Sequence, residues 1–231
     1  MRTAMVAAVL SVVLWNAGRP AAKDASFIPM LRATDAQILF LVESGGHDVV
    51  RHRFWESHFP GYHVTLLAGE ITLLSRYPIA HVRSTIVDMT TMIVEYDLVL
   101  PGGTLSVVGV DVVSSQCSRR RIALDRIHAV AESKPRPVVV LGDFNTPHTS
   151  ILFGRLRRSF RHAFEESGRG LITTWPSLLP VLALDHMWLS EGLTSVRTSV
   201  QRTWHSDHAL VVADISVETL GKPPQSVASR N

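Results

Sequence analysis

The chain has 231 residues, 46% of them hydrophobic and 19% charged, enough apolar content for a large buried core and too much for a disordered segment. Its single cysteine, Cys117, cannot close an internal disulfide, and no paired Cys/His spacing could hold structural zinc, so disulfide scaffolds and zinc modules are excluded. Lys and Arg number 23 against 20 Asp and Glu, and a net charge of +3 permits an anionic ligand without demanding one.

At the amino terminus, Met1-Arg2 followed by the apolar run from Ala4 to Trp15 resembles a short secretory segment, too short to span a bilayer. Asn16-Ala17-Gly18-Arg19-Pro20 makes a poor cleavage site, so the β-branched stretch 9–14 reads as a buried first strand that stops at Gly18 and Pro20. A cytoplasmic location follows as the expectation, with export by an N-terminal signal as the alternative. Short apolar runs bounded by turn residues then predict strands at 38–42, 71–74, 91–96, 105–110, 138–141, 186–189 and 210–213. Helical spacing predicts one helix over 120–133, through Ile122, Leu124, Ile127, Val130 and Ala131, and another over 150–164, through Leu152, Phe153, Leu156, Phe160 and Phe164. One domain is expected over 1–220, and the polar segment 221–231, with Pro223-Pro224, is expected to fray.

Polar chemistry gathers where these strands stop. Gly142-Asp143-Phe144-Asn145 closes the 138–141 strand, so Asp143 and Asn145 share a face with Phe144 opposite, although an Asp-x-Asn at a strand end also suits an ordinary turn. Asp207-His208 precedes the last strand, and an imidazole titrating near working pH is the usual proton-transfer group. Asp185, ahead of the 186–189 strand, could orient a histidine and stabilise its cation. Asn16 and Glu43 end the first two strands, and a glutamate with nearby amides supplies the hard oxygen donors that Mg2+ takes; capping is the plainer reading of both. Arginines cluster at Arg119-Arg120-Arg121 and at Arg155, Arg157, Arg158 and Arg161, which solvated helix faces would also explain.

In this order, strand-Asn16, strand-Glu43, Leu74-Ser75-Arg76-Tyr77-Pro78, Gly142-Asp143-Phe144-Asn145, Asp185-His186 and Ser206-Asp207-His208 resemble the endonuclease/exonuclease/phosphatase superfamily from about residue 9 to about 216. The stretch 170–185, with Thr174-Trp175-Pro176, looks most like a bacterial branch without an assigned substrate. The resemblance implies an α/β fold, a four-layer sandwich of two mixed β-sheets packed face to face with helices outside. It further implies a metal-dependent phosphoesterase in which Glu43 ligates Mg2+ or Mn2+, with Asn16 and Asp207 close to the ion. Asp143 and Asn145 would contact the phosphoryl group and position water, and His208, oriented by Asp185, would serve as general base or as a cationic phosphate contact. Arg76 and Arg119 would help to hold substrate. One departure stands out, because Asp111 occupies a position where the family usually carries His, or in some branches Tyr; as an ionised carboxylate it would add a metal ligand or weaken phosphate binding. A lesser one is Val42 before Glu43, where nuclease branches commonly carry Gln.

A Ser-His-Asp esterase is excluded by the lack of a Gly-x-Ser-x-Gly elbow. A phosphodiester substrate, DNA or RNA first, is expected for a monomeric enzyme, with Arg119 to Arg121 at the site rim. The alternatives are a phospholipid head-group phosphodiesterase, for which the apolar 175–182 loop is suited, a phosphomonoesterase, and a non-catalytic phosphate-binding module on the same fold.

Overall fold

The computed structural model describes residues 8–88, 91–114, 119–218 and 220. In chain order the elements are β1 (Ala8–Asn16), α1 (Ile28–Ala33), β2 (Ile38–Val42), α2 (Val49–His58), β3 (His63–Leu67), β4 (Ile71–Ser75), β5 (Ile79–Val87), β6 (Thr91–Leu100), β7 (Gly103–Val112), α3 (Arg120–Glu132), β8 (Val138–Asp143), α4 (Leu156–Ser159), β9 (Arg161–His162), α5 (Ala163–Ser167), β10 (Asp185–Leu189), β11 (Leu193–Gln201) and β12 (Leu210–Val217). They form two six-stranded mixed sheets, ordered β11-β12-β1-β2-β4-β3 and β5-β6-β7-β8-β10-β9. Each sheet holds one parallel pair at its centre, β1 with β2 and β7 with β8, and every other pairing is antiparallel. The parallel pairs need long crossovers, which α1 and α3 provide.

The near-continuous apolar runs of the central strands have a direct cause, since both faces of each sheet are covered. Along β1 and β2, Leu10, Leu14 and Phe40 point between the sheets, where they meet Val94, Tyr96, Leu141, Met187 and Ile215. The alternate residues Val13, Trp15, Leu39 and Leu41 point outward onto Phe27, Leu31 and Trp55 around α1 and α2. On the other sheet Val108, Val110, Val138 and Val140 face Leu124, Ile127 and Ala131 of α3. Four layers result: helices, sheet, sheet, helix. Glycine is required where the sheets approach most closely, for a Cβ at Gly109 would lie 2.2 Å from the Phe40 ring.

One sequence expectation of the fold changes. The 150–164 stretch is not one helix: a 3-10 turn at Ile151–Gly154 is followed by the single-turn α4, an extended Phe160 and the two-residue β9. Phe153, Leu156 and Phe160 are buried as their spacing implied, but against the outer face of the second sheet through a broken path. The apolar run 9–14 lies within β1, an interior strand hydrogen-bonded to both β2 and β12. The expected tail 221–231 lies outside the described residues. Among the described residues no helix is long and apolar enough to cross a membrane.

Candidate active site

Strand polarity decides where the polar side chains meet. Asn16 ends β1 and Asp143 ends β8, and the Asn16 amide donates from Nδ2 to Asp143 Oδ2 at 3.0 Å, joining the carboxyl ends of the two parallel pairs across the sheet interface. Gly18 N–H donates to Asn16 Oδ1 at 3.0 Å, so the amide is fixed from both sides. On the second sheet the register puts Asp111 of β7, Asp143 of β8 and Asp185 of β10 side by side in one row. Three carboxylates so placed cannot all keep ordinary acidity. Burial, followed by the Asp185 charge, pushes Asp143 well above the usual carboxylate range, against the pull of His208 and of the Asn145 and Asn16 hydrogen bonds. Burial and then Glu43 raise Asp111 to about 7.

His208 faces this row from the loop before β12. Its Nδ1 donates to Asp185 Oδ2 at 2.8 Å, and its Nε2 stands 3.8 Å from Asp143 Oδ2. Burial works against the imidazolium, but the Asp185 charge and hydrogen bond, with Asp143 and Asp207, outweigh it and raise the group to about 9. The histidine is therefore a cation at neutral pH. Ser206 anchors the loop, donating to the Asn16 carbonyl at 2.8 Å and accepting from His208 N–H at 3.0 Å.

A cavity of about 500 Å3 opens over these groups, lined by Asn16, Glu43, Arg120, Asp143, Asn145, Trp175, Asp207 and His208 among others. A second cavity of about 500 Å3 adjoins it, sharing Glu43 and Asn145 and lined further by Arg19, Glu70 and Asp111. Glu43 and Asn145 adopt left-handed backbone angles, φ 49° and 45°, sparsely populated conformations that the surrounding hydrogen bonds must hold in place. For Asn145 those bonds are its N–H to Asp143 Oδ1 at 2.8 Å and its Nδ2 to the Val112 carbonyl at 2.7 Å. For the loop after Glu43 the clamp is Arg51 of α2, buried against Phe54 and Trp55, whose guanidinium donates to the Ser44 and Ala22 carbonyls.

Asp143, Asp185 and His208 each offer a metal-type ligand atom within 4.8 Å of one another. In this trio, however, His208 Nδ1 is already engaged by Asp185, whereas Glu43 and Asp207 bring carboxylates to the cavity wall and Asn16 an amide oxygen nearby. Hard oxygen donors of this kind fit a Mg2+ or Mn2+ ion. The cation position at Glu43 is contested by Arg19, which donates from Nη1 to Glu43 Oε2 and from Nε to Glu70 Oε2, both at 2.7 Å. Arg19→Met should therefore tighten Mn2+ binding severalfold in isothermal titration, and an unchanged or weaker affinity would show that the arginine holds Glu43 in place instead.

The expected substrate arginines fare differently. Because β4 runs antiparallel to β2, with Ile38 opposite Ser75 and Leu41 opposite Thr72, Arg76 is carried to the start of β2, the end away from Glu43. There it is bound to Asp35 and to Tyr62 Oη, so it is no part of this site. Arg119 caps α3, exposed and outside the cavity lining, and its neighbour Arg120 takes the wall position, donating to the Ser114 carbonyl at 2.8 Å. Sequence reasoning also missed Arg19, Glu70 and Arg51. Arg19, three residues beyond Asn16, carried no motif of its own.

Behind the site, His186 Nε2 meets the Thr146 carbonyl at 2.8 Å, which makes that nitrogen the protonated one and leaves Nδ1 to accept from His162 Nε2 at 3.1 Å. Burial first lowers both to about 3, helped by the His148 charge at His162 and by the His162 charge at His186. Their folded-state values lie below the unfolded ~6.5, so the unfolded chain takes up more protons and stability is lost as pH falls from about 6.5 toward 3. Asp111 and Asp143, shifted upward, act in the opposite direction, so the histidine share is read by difference. In His162→Phe the stability gained between pH 5 and 6.5 in urea titrations should shrink by up to ~1.4 kcal/mol per pH unit; equal slopes would refute it.

The sequence model of the family described as Endonuclease/Exonuclease/phosphatase matches residues 13–208. No curated protein sequence is significantly similar to the chain. Among solved structures, an endonuclease/exonuclease/phosphatase family protein from Bacteroides thetaiotaomicron superposes with a TM-score of 0.73 at 14% identity, over 92% of this chain and 99% of the other. A mannosyl-6-phosphatase from the same organism gives 0.71 at 14% identity, over 89% and 99%. D. rerio TDP2, complexed with single strand DNA product, gives 0.70 at 14% identity, over 90% and 99%. At such identities the likeness is one of fold.

Proposed function

We propose, from the premise that this chain belongs to the endonuclease/exonuclease/phosphatase family, that it is a metal-dependent hydrolase of phosphodiesters. The observation that carries the reading is the Asp185–His208 pair, which presents a cationic imidazole to the cavity that Glu43 and Asp143 also line. Glu43, with Asp207 and Asn16 nearby, would hold Mg2+ or Mn2+. When bound, such an ion supplies positive charge against the phosphoryl oxygens.

The protein's own groups divide the remaining work. His208 donates from Nε2 to a phosphoryl oxygen and stabilises charge as it grows there, while Asp185 holds the ring and keeps it protonated. Asp143 orients the attacking water and accepts its proton, for which a carboxylate of raised basicity is better suited than an ordinary one. Asn16 and the Asn145 N–H fix both oxygens of Asp143, and Asn145 lines the wall where the phosphoryl group would lie. Asp111 plays two parts according to pH: raised to about 7, it is partly protonated near neutrality and can then donate a hydrogen bond as the family's usual histidine would. Glu43, Glu70 and Asp207 on the cavity walls, with Asp111 adding negative charge as it ionises, disfavour a dianionic monoester, hence the expected preference for diesters. The names of similar structures span a DNA product and a sugar phosphate, and support no single substrate.

The test is turnover of bis-p-nitrophenyl phosphate with Mg2+ or Mn2+, against p-nitrophenyl phosphate. Diester hydrolysis that EDTA abolishes is the expected result. Turnover undiminished in EDTA would end the metal reading, and faster monoester hydrolysis would end the diester preference.

A further inference from the structure

Two loops at the mouth of the active-site cavity carry apolar side chains that nothing in the catalytic scheme uses. In the first, residues 175–182, Trp175 and Leu182 line the cavity while Leu178, Leu179 and Val181 project to solvent, Leu179 at 77% exposure. In the second, Trp204 is 85% exposed, four residues before His208. The loops are bound together: Ser177 Oγ donates to the Thr203 carbonyl at 2.8 Å and accepts from Thr203 N–H at 3.0 Å, and Ser177 N–H donates to the Asp207 carbonyl at 2.6 Å. Leu178 and Trp204 are thus the chain neighbours of two hydrogen-bonded residues, so the exposed groups form one apolar rim beside the reacting groups.

We propose that this rim docks the enzyme on an anionic phospholipid surface and delivers lipid phosphodiesters to the cavity. The rim joins the site directly, because the same two loops supply Trp175, Asp207 and His208 to the cavity wall. Its chemistry is aliphatic as well as aromatic: leucine and valine match hydrocarbon, whereas nucleobases stack on rings. A tryptophan beside arginine is suited to the boundary between head groups and acyl chains. Its charge is complementary, since residues 169–182 and 199–206 contain Arg169, Arg202 and His205 and no acid, while the next residue, Asp207, is held at the cavity by Trp175 Nε1 at 2.9 Å. Of the second arginine cluster, Arg155 is paired with Asp125, Arg157 with Glu165 and Arg161 with Glu166, so three of its four charges are neutralised. Exposed apolar patches of this kind mark interaction surfaces.

The delivery of substrate rests on the hydrolase reading; the docking does not, so the two are tested apart. The full-length protein in EDTA is sedimented with sucrose-loaded vesicles of phosphatidylcholine alone or with one part in four phosphatidylglycerol, and titrated against a fluorescent twelve-residue oligothymidylate. We expect partitioning onto the phosphatidylglycerol vesicles, lowered at least tenfold by Leu179→Asp and by Trp204→Ala, with turnover of bis-p-nitrophenyl phosphate unchanged in both variants. No sedimentation with either vesicle overturns the proposal, as do variants that sediment like the wild type. Oligothymidylate binding that Trp204→Ala abolishes, without vesicle binding, would reassign the rim as a base-stacking platform. Vesicle binding with no turnover of the soluble diester would instead leave the docking in place and remove the hydrolase reading.

Discussion

His208→Ala should lower kcat on bis-p-nitrophenyl phosphate by at least ~100-fold, the scale of losing one preorganised donor to developing charge. The same group predicts the alkaline limb: with the imidazolium titrating at about 9, kcat should fall as pH rises through that value. The variant carries a complication, because it strands the buried Asp185 carboxylate, whose Oδ1 already has no hydrogen-bond partner in the described structure. Loss of stability and loss of rate must therefore be separated. Asp185→Asn with His208→Ala removes the stranded charge, so it should recover much of the melting temperature and none of the rate. If either variant keeps kcat within threefold of wild type, His208 is a structural residue and the phosphoryl contact belongs elsewhere.

The second large effect is expected at Glu43. Glu43→Gln keeps the shape and the backbone bond from Arg19 N–H to its carbonyl at 2.8 Å but removes the charge that attracts a divalent ion. Activity should fall on the order of 10²–10³-fold, the worth of several kcal/mol of charge stabilisation. Calorimetric Mn2+ affinity should fall with it. The direction is informative, since Arg19→Met and Glu43→Gln should shift the same binding constant in opposite senses. Retention of wild-type Mn2+ affinity in Glu43→Gln would move the ion to the Asp143, Asp185 and His208 group.

Much of this site was legible in the sequence because its residues stand at strand ends. Each of Asn16, Glu43 and Asp143 taken singly also suits a cap or a turn, and it was their order along the chain, together with Asp185 and Asp207-His208, that singled them out. Arg76 failed for a topological reason: its Leu-Ser-Arg-Tyr-Pro setting was read correctly as a strand end, but the antiparallel pairing that sends it to the far side of the sheet is not written in local pattern. The edge strand β5 and the helix α2 escaped detection because each is largely solvent-exposed, with Ile86, Val49 and Val50 facing outward, and is positioned by its neighbours rather than by its own periodicity. The broken path through 150–164 imitates a helix because Phe153, Leu156 and Phe160 all reach one core, and burial alone does not distinguish a helix from turns that reach the same surface.

The antiparallel pairing of β1 with β12, which puts Val12 opposite Ala213, has a consequence for synthesis. On the ribosome β1 emerges long before β12, its second neighbour, so closure of the first sheet is a long-range event and slow by its topology. Asp207 and His208 arrive with that closing strand. A chain cut before β12 therefore lacks both the imidazole and one of the cavity carboxylates, and the candidate site is complete only once that strand has joined the first sheet.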